Sequence, residues 1–404
     1  MRFRHPDGST VHLVYCTNVH PAETLDGVLA QLRDHCEPVR HRLGVDRLGV
    51  GLWLAAPVAY ALDRDPEALR SLRAVLDRRG LEVVTLNGFP YEGFGATEVK
   101  YRVYRPDWAD PERLTYTLAL ARVLTRLLPA DVTEGTISTL PLAWRTAYDE
   151  QRADTARAAL VTLAERLDAL EELTGRSVRV GLEPEPGCTI ETTADALAPL
   201  TALGQPRIGV CADTCHMATS FERPGPALTA LDAAGVRVVK AQLSAALHAE
   251  HPHLPEVREA LAAFDEPRFL HQTRARTAEG LHGTDDLGPA LRNATLRDTA
   301  LPDATPRDTP LPDTTPWRAH FHVPLHTTPR PPLTATLPVL DEALGALVGG
   351  ARPLTRHLEV ETYTWQALPP ALRPRDAGQL ADGIAAELTT ARALLTAHGL
   401  KELP

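Results

Sequence analysis

The chain has 404 residues, and its 42 basic and 52 acidic side chains give a formal charge of −10. An acidic surface repels phosphate backbones, so the composition argues against generic nucleic-acid binding. Hydrophobic residues make up 44% of the chain, enough for a sizeable core, which excludes wholesale disorder.

Eight short runs of β-forming residues are predicted as strands, with helical patterns between them. Several runs are apolar on both faces, as parallel strands covered by helices should be. Leucines recur every three or four residues between 160 and 170, and Asp65 and Asp110 each precede a proline, which predicts helices and their starts. The predicted strands are residues 11–16, 48–54, 82–86, 136–139, 178–183, 208–213, 236–243 and 357–363.

Eight strand–helix units predict a (β/α)8 TIM barrel, and we expect residues 1–404 to form a single domain. A doubly wound open sheet is the alternative, but no Gly-x-Gly-x-x-Gly follows the first strand to support a dinucleotide-binding version. Residues 244–333 are predicted to be an insertion between the seventh and eighth strands, with short strands at 269–271 and 318–323.

Two decamers stand in tandem inside this predicted insertion. Residues 297–306 read RDTALPDATP and residues 307–316 read RDTPLPDTTP. A repeat this rich in proline, aspartate and threonine has little apolar surface to bury, so residues 294–316 are predicted to be a disordered low-complexity loop.

The sequence carries no pattern typical of export or membrane anchoring. Its first residues lack the apolar stretch of a signal peptide, and no run of about 18 apolar residues occurs. The five cysteines are an odd and sparse set, which favours a reducing compartment. We therefore expect a cytoplasmic protein without a membrane anchor of its own.

The chemistry of a TIM barrel lies at the carboxyl ends of its strands. Glu183, Asp213 and Glu361 end predicted strands five, six and eight. Crowded carboxylates repel one another unless a cation or a shared proton neutralises them, so we expect a divalent metal there, with Gln242 of strand seven as a further ligand. Oxygen ligands suit Mn²⁺ or Mg²⁺, and added imidazole would shift the preference towards Zn²⁺ or Co²⁺.

Two choices stay open among these residues. Glu185 and Glu359 lie two positions from Glu183 and Glu361 and share their faces, so either glutamate of each pair is a candidate ligand or substrate contact. His216 follows the sixth strand, where it either faces substrate as a catalytic residue or fixes a ligand by a hydrogen bond.

Further side chains follow other strands and are candidates for substrate contacts. Trp53 is either a platform for a sugar ring or part of the core. Lys100, Arg105 and Trp108 cluster after the third strand, where a lid could pair with a phosphate or carboxylate group. Polar groups that could bind hydroxyls, with ordinary turn chemistry as the alternative, are Asn18, His20, Asn87 and Tyr91.

These strand ends resemble those of the xylose-isomerase-like TIM barrels, the sugar-phosphate isomerase and epimerase superfamily. The family has a glutamate at strand five, Asp-x-x-His at strand six, usually a histidine at strand seven and a glutamate at strand eight. The chain departs at Gln242, where a weaker amide ligand replaces the histidine, which puts metal binding itself in doubt. Histidines of the insertion that could compensate are His271, His320 and His322.

A closer resemblance covers most of the chain and points to the TIM-barrel metabolite-traffic proteins of Ebo clusters, the EboE family. It implies a role in making or moving a small polar metabolite, such as a cyclitol or sugar derivative, and a functional link to a UbiA-like prenyltransferase encoded nearby. The resemblance implies no particular reaction. The segments that carry it are residues 15–21, 87–91, 103–108, 320–325 and 358–365.

The sequence favours a metal-dependent isomerase or epimerase in which Glu183 and Glu361 exchange a proton with the substrate. A non-catalytic metabolite carrier is the first alternative, with Gln242 as its best argument. A metal-dependent phosphoesterase is the second, but such enzymes need a basic face and the chain is acidic. The substrate, the metal's identity and a homodimer all stay open.

Overall fold

Eight parallel strands close into a barrel, which confirms the predicted TIM-barrel fold. The computed structural model describes residues 1–293 and 311–404. Each barrel strand pairs with the next, and the eighth closes the ring because Leu358 lies opposite both Leu13 of the first strand and Ala241 of the seventh. The barrel strands, counted one to eight below, are Thr10–Cys16, Leu48–Trp53, Leu81–Asn87, Glu134–Thr139, Ser177–Leu182, Ile208–Asp213, Val238–Leu243 and His357–Val360.

Helices connect the barrel strands and bury one face against them. In the longest, Glu150–Thr174, the predicted leucine stripe contributes the buried Leu160, Leu163 and Leu167. The α-helices are Leu25–Gln31, Glu37–Leu43, Ala56–Arg64, Pro66–Arg78, Pro111–Leu127, Glu150–Thr174, Thr193–Leu203, Thr214–Thr219, Pro224–Ala233, Pro255–Ala262, Leu287–Asn293, Leu337–Val348 and Ala377–Ala397. A π-helical turn, Leu32–Cys36, makes the first two continuous, and 3-10 turns lie at Thr17–Val19, Lys100–Tyr104 and Tyr363–Gln366.

The two predicted helix starts differ in how they are capped. The carboxylate of Asp65 accepts hydrogen bonds from the backbone N–H groups at the start of helix Pro66–Arg78, as predicted. Asp110 precedes helix Pro111–Leu127 without capping it, because its carboxylate is held by Arg105 and Arg152 instead.

The insertion between barrel strands seven and eight builds a second, antiparallel sheet. Its backbone reaches back to the barrel, since the N–H of Val323 donates to the carbonyl of Ala245 just after the seventh barrel strand. Trp317 and Phe321 belong to the same buried apolar cluster as the barrel core. The strands, in order across the sheet, are Gly280–Thr284, Thr273–Thr277, Trp317–Ala319, Leu247–Ala249 and Thr334–Ala335.

The insertion differs from its prediction in detail. The first strand lies at Thr273–Thr277, just after the predicted 269–271, and the second, Trp317–Ala319, overlaps only the start of the predicted 318–323. The backbone N–H groups of Phe269 and His271 donate to carboxylates, those of Glu266 and Asp286, so they are unavailable to a neighbouring strand.

Part of the predicted disordered loop is packed. Residues 294–310, which contain the first decamer and part of the second, lie outside the described residues. Residues 311–316 are described: Leu311 is buried, and the carbonyl of Pro312 accepts a hydrogen bond from the indole of Trp317. The end of the second decamer therefore belongs to the folded insertion.

Two further short strands extend the barrel sheet. Arg2–Arg4 pairs antiparallel with the start of the first barrel strand and with Lys401–Glu402. Within 1–293 and 311–404, no helix is both long and apolar enough to cross a membrane.

Candidate active site

Three carboxylates converge at the carboxyl ends of barrel strands five, six and eight. Glu183, Asp213 and Glu361 are each at most 4% exposed, and one oxygen of each lies within 4.8 Å of the other two. They are called the carboxylate cluster below. Asp213 Oδ1 accepts hydrogen bonds from the hydroxyl of Ser244 and the backbone N–H of His216, both at 2.9 Å, which fixes its orientation.

Two asparagines orient the glutamate of strand eight. The side-chain amides of Asn18 and Asn87 donate to the same oxygen, Oε1 of Glu361, at 2.7 and 2.8 Å. Asn87 Oδ1 accepts from the backbone N–H of Phe89 at 3.0 Å, so its NH₂ group must face the carboxylate. Both donors stabilise the charged form of Glu361 and leave its second oxygen for other chemistry.

The electrostatics of the carboxylate cluster oppose full ionisation. Burial raises the pKa of Glu183 well above its usual value, and the carboxylates of Glu361 and Asp213 raise it further. Burial likewise raises the pKa of Glu361, with Asp213 and Glu359 adding to the effect. The carboxylate cluster therefore holds protons unless a cation takes their place.

The unpartnered atoms at this end of the barrel fit a cation. Glu183 Oε2 and Asp213 Oδ2 are buried and have no hydrogen-bond partner among the described residues. In the same part of the chain, neither amide atom of Gln242 has one, and Gln242 lies opposite Asp213 in the strand register. Each unmet buried polar group costs about 1–3 kcal/mol, so a group that coordinates these oxygens would stabilise the site.

Three imidazoles form a second group beside the carboxylate cluster. His216 lies on the short helix after strand six, and His320 and His322 follow strand Trp317–Ala319 of the insertion. Phe321, between them in sequence, packs on Phe264 with ring centroids 5.0 Å apart, which turns the two histidines to the opposite side. His320 Nε2 lies 3.1 Å from Nε2 of both the others, and the three are called the histidine cluster.

His320 and His322 of the histidine cluster are buried, which favours the neutral form of these two rings. Burial lowers the pKa of His320 well below its usual value, and the neighbouring His216 and His322 lower it further. Burial also lowers the pKa of His322, to about 4.

Glu185 faces the histidine cluster and not the carboxylate cluster. Its Oε1 accepts hydrogen bonds from the hydroxyl of Tyr104 at 2.8 Å and from the amide of Gln272 at 3.2 Å. Its Oε2 lies 3.2 Å from His216 Nε2. Burial raises the pKa of Glu185, although its hydrogen-bond donors act in the opposite direction.

Glu359 also lies apart from the carboxylate cluster, one layer deeper in the barrel. It forms a fully buried ion pair with Lys240 of strand seven. The two pairs of glutamates are thus divided: Glu183 and Glu361 lie in the carboxylate cluster, whereas Glu185 and Glu359 do not.

A pocket opens above both clusters. Its polar floor includes Glu183, Glu185, Glu361, His216 and His320. Its walls are largely apolar and are formed by Phe89, Pro90, Phe94, Val99, Val103, Tyr104, Phe269, Leu270 and Tyr363.

Several candidate substrate contacts are used in packing instead. Trp53 and Trp108 are at most 1% exposed, and their indole N–H groups donate to backbone carbonyls. The hydroxyl of Tyr91 pairs with that of another tyrosine at 3.3 Å. His20 stacks on His35 with ring centroids 4.0 Å apart. None of these four side chains lines the pocket in the part of the chain that is described.

The predicted lid residues are separated. Lys100 lines the pocket and forms an ion pair with Asp286 of the insertion. Arg105 is 54% exposed and pairs with Asp107, so it lies outside the pocket.

His271 faces away from the other histidines. Its ring nitrogens lie 2.9 Å from the carbonyl of His320 and 3.0 Å from Oε1 of Glu266. The side chain therefore holds the backbone of His320 in place, while His320 and His322 themselves reach the site.

Three residues of the site do not figure among the sequence-based candidates. Tyr104 lies in the segment 103–108 and Tyr363 in the segment 358–365, and both segments carry the family resemblance, so the sequence held a signal for both residues. Gln272 binds Glu185, and its Oε1 lies 2.7 Å from His320 Nδ1, yet no sequence pattern marks it.

Comparison with known proteins bears on the fold. Residues 41–280 match the model of a family described as xylose isomerase-like TIM barrel. No curated protein sequence matches the chain.

Solved structures with a similar fold include three bacterial proteins. D-allulose 3-epimerase from Methylomonas sp. is 12% identical with a TM-score of 0.49, over 98% of this chain and 100% of that one. A xylose isomerase-like TIM barrel protein from Mycobacterium smegmatis, in complex with magnesium, is 14% identical with a TM-score of 0.46, over 97% and 94%. A xylose isomerase domain protein from Alicyclobacillus acidocaldarius is 16% identical with a TM-score of 0.45, over 96% and 99%.

Proposed function

Because the chain belongs to the xylose isomerase-like TIM-barrel family, we propose that it is a metal-dependent isomerase or epimerase. The carboxylate cluster carries the proposal, since Glu183, Asp213 and Glu361 meet below a pocket and the first two keep unpartnered oxygens. These three residues, with Gln242 Oε1, would hold a divalent ion, for which oxygen ligands favour Mn²⁺ or Mg²⁺. Such an ion polarises a substrate carbonyl and its neighbouring hydroxyl.

The proton transfer falls to the two glutamates of the carboxylate cluster. Glu183 and Glu361 both line the pocket, so a substrate bound there meets a carboxyl group from strand five and another from strand eight. Burial raises the pKa of each in the metal-free protein, and a bound cation would keep both ionised and able to accept a proton. Asn18 and Asn87 hold one oxygen of Glu361 and leave the other to accept the proton.

The pocket favours a small substrate with a polar and an apolar face. Phe89, Phe94, Phe269 and Tyr363 line its walls, and the carboxylates and histidines form its floor. Sugars and cyclitols present C–H faces that pack on aromatic rings and hydroxyls that bind polar groups.

We place the substrate in an Ebo-type pathway, with a functional link to a UbiA-like prenyltransferase. The support is the resemblance of five segments to the EboE family, among them 87–91 and 320–325. Both segments contribute to the pocket, through Phe89 and His320.

A non-catalytic metabolite-binding protein is the second candidate. Gln242 favours it, because an amide is a weaker metal ligand than the histidine usual at strand seven in the family. A carrier needs the pocket but neither a bound cation nor a base.

Deuterium exchange separates the two candidates. The protein is loaded with Mn²⁺ and incubated in D₂O with ketohexoses and keto-cyclitols, and carbon-bound deuterium is measured by mass spectrometry. The isomerase incorporates deuterium, and Glu361→Gln slows incorporation by about 10²-fold or more, the scale of a general-base contribution. Glu172→Gln, an exposed change on a helix, is the matched control and keeps the wild-type rate. A wild-type protein that binds no metal and exchanges no proton with any of these compounds is a carrier.

A further inference from the structure

The lining of the pocket is poor in basic side chains. Within residues 1–293 and 311–404, Lys100 is the only lysine or arginine that lines it. The floor carries three carboxyl groups, those of Glu183, Glu185 and Glu361. Because these groups repel an anion, a negatively charged part of a ligand would find a favourable contact beside Lys100 and not at the floor.

Lys100 lies at the outer end of the pocket wall. It begins the 3-10 turn Lys100–Tyr104, and the hydroxyl of Tyr104 at the other end binds Glu185 on the floor at 2.8 Å. Tyr101, next to Lys100, is 50% exposed, whereas Tyr104 is 2% exposed, so the turn runs from the surface into the site. At a rise of about 2.0 Å per residue, the two ends of the turn lie roughly 8 Å apart along its axis. A ligand that contacts both Lys100 and the floor therefore spans the pocket.

The backbone of Lys100 is held in an uncommon conformation. Its φ is +39°, in the left-handed region that residues other than glycine, asparagine and aspartate rarely adopt. The backbone N–H groups of Val99 and Lys100 both donate to the carbonyl of Arg268 in the insertion, at 2.8 and 3.0 Å, which fixes this conformation. Glycine would adopt it at lower cost, so the side chain of Lys100 contributes something that the turn itself does not need.

The ammonium group of Lys100 has capacity for a ligand. Among the described residues, its Nζ has one hydrogen-bond partner, Oδ2 of Asp286, and two of its three hydrogens are left over. Asp286 does not depend on the lysine, because its Oδ1 accepts from the backbone N–H groups of His271 and Leu287, both at 3.0 Å. The ion pair is partly exposed, and such pairs are weak, so a bound anion can compete with Asp286 for Lys100.

We propose that the substrate carries an anionic group, a phosphate or a carboxylate, and that Lys100 binds this group at the outer end of the pocket. The carbonyl and hydroxyl groups of the same molecule then face the carboxylate cluster. A hydrogen bond between two charged groups is stronger than one between neutral groups, so Lys100 selects an acidic derivative of a sugar or cyclitol over the neutral compound. The inference rests on the proposed function for the chemistry at the floor, but not for the binding of the anion.

Binding of neutral and anionic ketohexoses tests the inference. The full-length, Mn²⁺-loaded protein is titrated calorimetrically with fructose, fructose 6-phosphate and ketogluconate, which carry no charge, a phosphate and a carboxylate. The wild type is expected to bind at least one of the anions about tenfold more tightly than fructose, the scale of a charged hydrogen bond. The anion that binds more tightly identifies the group that Lys100 recognises. A wild type that binds neither anion more tightly than fructose overturns the inference, and this measurement needs no variant.

Paired variants show whether Lys100 makes the contact. Lys100→Gln should weaken binding of the preferred anion about tenfold and leave that of fructose unchanged, whereas Lys100→Arg should keep most of the preference. Asp286→Asn should tighten binding of the anion, because Lys100 is then free and the asparagine oxygen can still accept from the two backbone N–H groups. Arg102→Gln, an exposed change in the same turn but outside the pocket lining, is the matched control. If Lys100→Gln weakens both ligands alike, or neither, another group holds the anion and the inference is overturned.

Deuterium exchange separates this inference from the proposed function. If the protein binds the anion through Lys100 but exchanges no carbon-bound proton with it, the anion site stands and the isomerase falls. If the protein exchanges a proton with fructose and with both anions at equal kcat/KM, and Lys100→Gln changes none of these values, the isomerase stands and the anion site is overturned.

Discussion

Glu359 and Glu361 lie two residues apart at the end of the eighth barrel strand, and both are buried. Glu359 has a counter-charge, because Lys240 of the neighbouring strand reaches it inside the barrel. Glu361 has the opposite surroundings, since its charged neighbours are Glu183 and Asp213. A glutamate in the eighth strand therefore forms a structural ion pair, whereas a glutamate just after the end of that strand belongs to the candidate site.

The pKa shifts of Lys240 and Glu361 reflect these different surroundings. Burial alone would lower the pKa of Lys240, but the carboxylate of Glu359, with contributions from Cys211 and Cys16, raises it by more, so Lys240 stays charged. For Glu361, burial and like charges act together, and its pKa is raised well above the usual value. A buried charge with a partner is stable as it is, whereas buried like charges need a proton or a cation.

The largest effect is expected from breaking the ion pair between Lys240 and Glu359. Lys240→Met leaves Glu359 charged and buried without its partner, which should lower the free energy of unfolding by about 3–5 kcal/mol. Urea unfolding followed by circular dichroism measures the change. The double variant Lys240→Met/Glu359→Gln should recover most of the loss, because no unpaired charge remains. If the single variant unfolds at the wild-type urea concentration, the ion pair makes no measurable contribution to stability.

The next largest effect is expected from removing the carboxylate of Glu361. The folded-state pKa of Glu361 lies above its unfolded value, so its contribution to stability is complete below the usual glutamate pKa of about 4.3 and is lost as pH rises through the folded-state pKa. In metal-free protein at pH 8, Glu361→Gln should therefore increase stability by about 1–2 kcal/mol, and at pH 5 by much less. Thermal melts in EDTA at both pH values measure this. A variant less stable than wild type at pH 8 would contradict the raised pKa.

The sequence predicts the barrel and its strand-end carboxylates better than it predicts which glutamate is paired with a lysine. The barrel follows from apolar runs such as 178–183, because strands buried on both faces carry their signal locally. The positions of Glu183, Asp213 and Glu361 follow from the strand ends in turn. Which of Glu359 and Glu361 has a lysine beside it depends on strand register across the barrel, and no local pattern reports that.

The insertion was the least predictable part of the site. Strand Trp317–Ala319 ends before His320, so the two histidines leave the sheet and reach the barrel. Gln272, the partner of His320, comes from a loop 48 residues away in sequence, and its role depends on tertiary contacts alone. The eighth strand was predicted to 363 but ends at Val360, because the chain turns into the 3-10 segment Tyr363–Gln366.

A smaller effect should follow from giving the carboxylate cluster a better metal ligand. Gln242→His replaces an amide with a better donor to transition metals, so the affinity of the carboxylate cluster for Mn²⁺ or Zn²⁺ should rise about tenfold, or about 1.4 kcal/mol. Isothermal titration at constant pH measures it, with Gln151→His on the surface as the control. Unchanged affinity would mean that another side chain already completes the coordination.

The smallest effect is expected in the tandem decamers. Deleting residues 297–306 shortens the chain between Leu287–Asn293 and Trp317–Ala319, and because closure entropy varies only with the logarithm of the length of such a connection, stability should change by no more than about 0.6 kcal/mol. Leu311 stands in the second decamer where Leu301 stands in the first, and Leu311 is 4% exposed. Leu311→Ala should therefore cost about 2–3 kcal/mol, which makes it the matched comparison for the deletion. Thermal melts of the two variants measure the difference. A deletion as costly as Leu311→Ala would show that the first decamer packs against the folded insertion and contributes to the cover over the site.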